Sequence, residues 1–176
     1  TGWPIDGVNN WLWVLLSKGA AWYTVENTRS RRIVEKHLGD LFDGVTVSDF
    51  LPSYRNLPYT QQKCLIHLLR EIHRFEEKPD FVLDDDWKSV RMRTKRLVTE
   101  ARNSRESGMP QDKREELQLR LIARANAVGQ LKLENKYAKT LARLVGQYSE
   151  MLFTFVVEDD VAWENNAAER GLRPLV

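Results

Sequence analysis

The chain has 176 residues, of which 27 are Lys or Arg and 25 are Asp or Glu, so its formal net charge is only +2. This balance excludes a polycation, although a sequence pI of about 8.7 is compatible with a local basic face. A single cysteine, Cys64, excludes an internal disulfide and a zinc site with several thiolate ligands, and it favours a reducing compartment. The sequence contains no recognisable signal peptide and no apolar run long enough to span a bilayer, so we expect a cytoplasmic protein without a membrane partner.

The first part of the chain predicts an antiparallel hairpin. Residues 9–16, N-N-W-L-W-V-L-L, are rich in aromatic and aliphatic side chains, and they follow Asp6-Gly7, a pair typical of hairpin turns. Residues 20–26 alternate well enough to pair with this strand. A short helix is then predicted over residues 31–38, with Gly39 as its C-terminal cap.

A brief β-branched strand, residues 44–48, ends on Asp49. In α/β sheets the carboxyl end of a strand commonly carries catalytic or ligand-binding groups. An Asp that caps the following short helix is the alternative, and this strand alone does not decide between the two interpretations.

Residues 59–78 carry apolar side chains at helical spacing, with a short strand near residues 62–65 before the helix. Cys64 and His67 have a spacing found in metal sites, but two ligands do not make a structural zinc site. Free cysteines are usually buried, so core packing is favoured for Cys64, and the role of His67 stays open.

The composition changes at Pro79 to strongly charged sequence without a strand pattern. Two long helices are predicted over residues 84–107 and 111–129. The first of them is basic over much of its surface and is the best candidate for a face that contacts phosphates, with a solvated charged face as the alternative. The candidate residues are Arg91, Arg93 and Arg96.

Residues 139–157 resume an apolar helical period and predict one core helix. Residues 163–174, W-E-N-N-A-A-E-R-G-L-R-P, then concentrate charged and amide side chains in a run compatible with a helix. The simplest interpretation is an amphipathic C-terminal helix with Asn165 or Asn166 as its N-cap. Its polar side chains Glu169, Arg170 and Arg173 would fall within one turn.

Three motifs, read together with the order of the predicted elements, resemble a known family. The run E-N-N-A-A-E-R-G-L-R-P-L-V resembles the C-terminal motif of the IS66 family of bacterial insertion-sequence transposases. The start T-G-W followed by N-x-W-L-W is similar to the segment after that family's first catalytic Asp. The runs V-S-D-F-x-x-S-Y and C-L-I-H-L-L-R resemble its second-Asp region and the Cys-x-x-His-x-x-Arg run that follows.

The resemblance implies the catalytic domain of a DDE transposase, which has an α/β fold of the ribonuclease H-like type. We expect a mixed sheet with a long helical insertion before the last catalytic helix. Residues 1–78 would form the first part of the core, residues 79–140 the charged helical insertion, and residues 141–176 the C-terminal core helices that carry the Glu motif.

The resemblance also implies a role for each matching residue. Asp49 would be the second acidic ligand and Glu169 the third, holding two Mg²⁺ ions, or Mn²⁺, for DNA strand cleavage and strand transfer by in-line phosphoryl displacement. The partners would be transposon ends and target DNA, and a homo-oligomer is left open. The side chains expected to contact DNA from this motif are Asn165, Asn166, Arg170 and Arg173.

The sequence departs from the family pattern at one position. The family's first catalytic Asp would lie two residues before Thr1, so the chain as given is expected to be catalytically incomplete. The alternative function is a non-enzymatic DNA-binding or protein-binding module that retains the fold.

Overall fold

The computed structural model describes residues 1–172, which form a mixed α/β structure. The first three strands form an antiparallel sheet with the second strand in the centre. These strands are β1 (Gly2–Ile5), β2 (Val8–Leu16) and β3 (Ala21–Glu26). Asp6 and Gly7 join β1 to β2 with φ values of 48° and 76°, so this pair makes the tight hairpin turn that the sequence predicts. The hairpin of β2 and β3 is also confirmed, with Leu12 opposite Val25.

One face of this sheet is covered by the first helix, α1 (Arg32–Leu38). Trp13 packs there with Ile33, Val34 and Leu57 in a small hydrophobic cluster. This cluster fixes the position of α1 because Trp13 is the largest apolar side chain that β2 buries.

The next two strands form a second, parallel pair, β4 (Val45–Ser48) and β5 (Thr60–Lys63). A single 3₁₀ turn, Pro52–Tyr54, lies in the connection between them. Their register places Ser48 opposite Lys63, so both strands end at the same edge. Polar side chains that follow the two strands can therefore meet at that edge.

Helices make up most of the remaining chain, and their apolar faces share one large core. Trp87, Leu121, Leu141 and Phe155 are almost completely buried in it. The helices are α2 (Leu65–Glu76), α3 (Asp85–Glu106), α4 (Gln111–Gly129), α5 (Lys136–Gln147), α6 (Thr154–Val157) and α7 (Asn166–Leu172). The division of the chain at residues 78 and 140 stays a prediction. Among the described helices none has both the length and the apolar character that a membrane span requires.

The prediction of one core helix over residues 139–157 is wrong. Helix α5 ends at Gln147, and a 3₁₀ turn separates it from the four-residue helix α6. The side chain of Gln62 explains the break: its Nε2 donates to the carbonyl of Leu152 at 3.1 Å, and its Oε1 accepts from the N–H of Phe155 at 3.0 Å. A buried amide from β5 thus satisfies backbone groups that a continuous helix would have paired internally.

Candidate active site

Asp49 lies directly after β4, where the parallel strands end. Its Oδ1 accepts a hydrogen bond of 2.9 Å from the N–H of Leu51, which turns the chain into the 3₁₀ segment. Within the described residues this is the one hydrogen bond that the carboxylate accepts. The side chain is half-buried, so the structure gives Asp49 a local structural contact and leaves acceptor capacity on its carboxylate.

Lys63 occupies the corresponding end of β5 and is completely buried. Its Nζ donates to Ser48 Oγ at 2.9 Å and to the carbonyl of Tyr54 at 3.4 Å, and it lies 5.5 Å from the ring centroid of Tyr148. Burial lowers the pKa of Lys63 to about 8, and the carboxylate of Asp49 partly opposes this shift. Sequence reasoning missed this residue because a lysine in a short strand gives no sign of burial.

The buried surroundings of Lys63 also perturb the pKa of Tyr54. Burial raises its pKa to about 12, and the negative charge of Asp49 adds to the increase. The edge of β4 and β5 is therefore a weakly solvated place in which Asp49 acts on several ionisable groups.

Glu169 lies on α7 and contacts two basic side chains of α2. Nε2 of His67 is 3.3 Å from Glu169 Oε1, and Nη1 of Arg70 is 3.3 Å from both carboxylate oxygens. The Glu169 side chain is 32% exposed, so its carboxylate is held from one side and accessible from another.

His67 lies beside Glu169, and its pKa is raised. The Cys64 thiol raises the pKa of the imidazole most, burial opposes this, and the carboxylates of Glu169 and Asp49 raise it further. The buried Nδ1 has no well-aligned hydrogen-bond partner in the described residues. Of the two acids, Glu169 is the one that contacts this histidine.

Cys64 is completely buried, as the sequence predicts, but its surroundings are polar as well as apolar. Its Sγ accepts a hydrogen bond from the backbone N–H of Asn165 at 3.4 Å. The adjacent N–H of Leu65 donates to the carbonyl of Trp163 at 2.9 Å. The segment before α7 is therefore attached to the beginning of α2.

Of the two caps that the sequence proposes, Asn165 precedes helix α7 and Asn166 is its first residue. The carbonyl of Asn165 accepts from the N–H groups of Ala168 and Glu169 at 3.1 Å and 3.3 Å. The carboxylate of Glu164 accepts from the N–H of Asn166 at 2.7 Å. Asn165 Oδ1 is buried without a hydrogen-bond partner in the described residues, so Asn165 begins the helix through its backbone rather than its side chain.

The other candidate residues for DNA contact lie apart from one another. Arg170 is exposed on α7, and Arg173 lies outside the described residues. On α3, Arg91 Nε is 2.8 Å from Glu76 Oε1, and Arg93 Nε donates to Ser89 Oγ at 3.3 Å. Arg96 is exposed and makes no ion pair within residues 1–172.

Helices α3 and α4 enclose a groove of about 740 Å³, which we call the basic groove. One acidic side chain, Glu100, lines it and is paired with Arg124. The cations that line it are Arg91, Lys95, Arg96, Arg120 and Arg124. Apolar side chains, among them Met92 and Leu117, also line this groove.

Carboxylates are the residues that could hold a metal ion at this site. Within the part of the chain that the structure describes, no group of three or more His, Cys, Asp or Glu side chains is placed to do so. Asp49 and Glu169 supply hard oxygen ligands of the kind that Mg²⁺ prefers, but a further ligand is needed.

The sequence pattern of α2 held a signal for this arrangement. Cys64, His67 and Arg70 are spaced by three residues, which places them along one side of the beginning of the helix.

A family model described as Transposase IS66 family matches residues 1–176, the whole chain. No curated protein and no solved structure matches the chain.

Proposed function

Because the chain belongs to the Transposase IS66 family, we propose that it is part of the catalytic domain of a DDE transposase, with Asp49 and Glu169 as metal-binding carboxylates. The observation that supports this proposal is that Cys64 connects the two segments: its N–H donates to the carbonyl of Ser48, the residue before Asp49, at 2.8 Å, and its Sγ accepts from the N–H of Asn165, which precedes α7. Transposases of this class generally use divalent metal ions, and the reaction cleaves and joins DNA.

The order of the strands along the chain is the one expected of a ribonuclease H-like core, but within residues 1–172 they form two separate sheets and not the one mixed sheet that the sequence predicts. Three antiparallel strands precede a parallel pair, and the acid follows the first strand of that pair. Helix α7 packs on the antiparallel sheet, where the hydroxyl of Tyr23 donates to the carbonyl of Gly171 at 3.2 Å. In this fold the last helix brings its Glu to the edge at which the strands end.

The donor set suits Mg²⁺ or Mn²⁺, with two ions in a complete site. An ionised carboxylate has about four acceptor sites, so the contacts made by Asp49 and Glu169 leave oxygen lone pairs for a metal. The family resemblance assigns the remaining carboxylate, the first catalytic Asp of the family, to a position two residues before Thr1. Burial lowers the pKa of the Thr1 ammonium most, Arg29 adds to this, and the negative charge of Asp49 opposes it.

The reaction is attack of water on a phosphodiester, which frees a DNA 3′-hydroxyl, followed by attack of that hydroxyl on a phosphodiester of the target. Bound metal ions would stabilise the attacking and leaving oxygens. In this chain His67 and Arg70 orient Glu169, and Asn166, Arg170 and Arg173 are proposed to contact phosphates. No covalent intermediate with the protein is needed.

Mn²⁺ binding tests the proposed site. Electron paramagnetic resonance would measure free Mn²⁺ over the chain, both as given and preceded by Asp-Glu, and we expect tighter binding with the added Asp. Asp49→Asn and Glu169→Gln should each lower the affinity at least about tenfold, whereas Asp43→Asn, which neutralises an exposed acid before β4, should not. No binding at millimolar Mn²⁺ in the extended chain, or equal binding in all variants, would refute the metal site.

The basic groove favours a second candidate function, a DNA-binding module without catalysis. Five cations line the groove, and phosphates are the ligands that such a surface attracts. We propose Arg91 and Arg96, which line the groove, and Arg93, which lies on α3 outside its lining, as contributors, with Arg96 as the strongest because Arg91 is paired with Glu76.

Salt-dependent DNA binding tests this candidate. Replacing the three arginines by Gln should weaken binding and reduce the slope of log K against log salt by about 0.9 for each phosphate that the variant no longer neutralises. Arg74→Gln, which removes an arginine of α2 that pairs with Glu71, serves as the control. Binding that is independent of ionic strength would contradict the candidate, and DNA cleavage that Asp49→Asn abolishes without weakening DNA binding would favour the enzyme.

A further inference from the structure

We infer that Cys64, His67 and Arg70 form a positioning device that docks α7 onto α2 and orients the carboxylate of Glu169. The docking of α7 is independent of any activity, whereas the consequence for metal binding rests on the proposed function. All three are positioning residues, because His67 and Arg70 act through Glu169 and Cys64 acts through the backbone of Asn165.

The spacing of the three residues creates the device. Residues three apart on a helix lie on successive turns of the same face, so Cys64, His67 and Arg70 form a row that begins where α2 begins. Each member of the row contacts a different part of the C-terminal segment. Cys64 accepts from the N–H of Asn165, while His67 and Arg70 hold the side chain of Glu169.

Helix α7 needs such contacts. It has seven residues and buries none of its described side chains completely. Isolated helices shorter than about 12 residues are marginal in water, so tertiary contacts must supply the stability of α7. The bonds from α2 and from Tyr23 to Gly171 are contacts of this kind.

The device also holds the carboxylate of Glu169 in place. Two basic side chains face it, with His67 Nε2 and Arg70 Nη1 each 3.3 Å from Oε1. The contact of Arg70 Nη1 with both oxygens at 3.3 Å also restricts rotation of the carboxylate. Outer-sphere partners of this type commonly change metal affinity by about 10–100-fold.

The experiment compares variants on one helix. His67→Ala and Arg70→Ala remove the contacts to Glu169, and His67→Gln keeps an N–H donor near the position of Nε2. His73→Ala and Arg74→Ala remove residues of the same types from α2 that do not contact Glu169, so they are matched controls. Circular dichroism confirms that each variant is folded.

Hydrogen exchange is the first readout. The N–H groups of Ala168 and Glu169, which bond to the carbonyl of Asn165, should exchange at least about tenfold faster in His67→Ala and Arg70→Ala than in the parent chain. The controls should exchange as the parent does, and His67→Gln should recover most of the protection. Unchanged exchange in both His67→Ala and Arg70→Ala would overturn the inference.

Mn²⁺ affinity is the second readout, measured with Asp-Glu added before Thr1. We expect a decrease of about 10–100-fold in His67→Ala and partial recovery in His67→Gln. If the parent chain binds no Mn²⁺ but α7 loses its protection in the Ala variants, the proposed function fails and the docking stands. If the parent binds Mn²⁺ and both Ala variants keep its affinity, the orienting role is refuted.

Discussion

Replacing Lys63 by Met should remove a pH dependence of stability that arises from one buried amine. In the folded chain Lys63 is fully buried between Ser48, Tyr54 and Tyr148, and burial lowers its pKa from 10.5 to about 8. Below pH 8 the amine is protonated in both the folded and the unfolded chain, so the folded state carries the whole cost of burying the charge. A shift of this size corresponds to about 3 kcal/mol.

The sign of the effect follows from proton binding. Between pH 8 and 10.5 the unfolded chain holds the Lys63 proton and the folded chain has lost it, so the free energy of unfolding rises with pH. From pH 8 to 10 the gain is about 2 kcal/mol relative to Lys63→Met. The range stops at pH 10 because Tyr54, whose pKa is raised to about 12, has the opposite effect once the unfolded tyrosine ionises.

Urea unfolding at pH 8, 9 and 10 measures this difference. Lys63→Met lacks the amine, and Lys78→Met removes an exposed lysine as the control. We expect the stability of the parent and of Lys78→Met to rise together relative to Lys63→Met. If the free energies of unfolding of the parent and of Lys63→Met change by the same amount over this pH range, Lys63 is not a buried amine that loses its proton on folding.

Two further substitutions test the helical core. Gly146→Ala should lower Tm by several degrees, because the added Cβ would lie 2.7 Å from the Gly129 Cα. The overpacking costs about 1–3 kcal/mol of stability, which outweighs the gain of at most about 1 kcal/mol in helix propensity. Gly19→Ala, at an open position, is the control, and an unchanged or higher Tm for Gly146→Ala would disprove the close crossing. Asn135→Ala should cost about 1–2 kcal/mol in urea unfolding, because its Oδ1 caps two N–H groups of α5. Asn135→Ser, which keeps a capping acceptor without placing a second carboxylate beside Asp84, should be less destabilised, and equal destabilisation of the two variants would exclude the cap.

Local signals made much of the secondary structure predictable. Helix α4 spans Gln111–Gly129, the range that the sequence predicts, because Pro110 precedes a long run without a helix breaker. At the beginning of α3, where the sequence predicts the start of a helix, the side chain of Asp84 accepts from the N–H of Trp87 and is the N-cap. The turn at Asp6-Gly7 is equally local, since both residues tolerate a positive φ.

Family membership was also present in the sequence. Motifs near Asp49, Cys64 and Glu169 carried the resemblance, and the family model that covers the whole chain confirms it. The roles of Asp49 and Glu169 as metal ligands stay a proposal. The motifs identify the two residues, but they do not give the distance between the two carboxylates in the folded chain.

Tertiary structure alone decided which polar groups meet. Gln62 ends a helix that the apolar period of residues 139–157 would continue, and Lys63 is buried although its residue type favours solvent. His67 contacts Glu169 because α7 returns to the beginning of α2. These outcomes depend on contacts between segments distant in the chain, which no local propensity or periodicity encodes. The sequence by itself determined the elements and the family, and the folded chain determined the neighbours of Glu169.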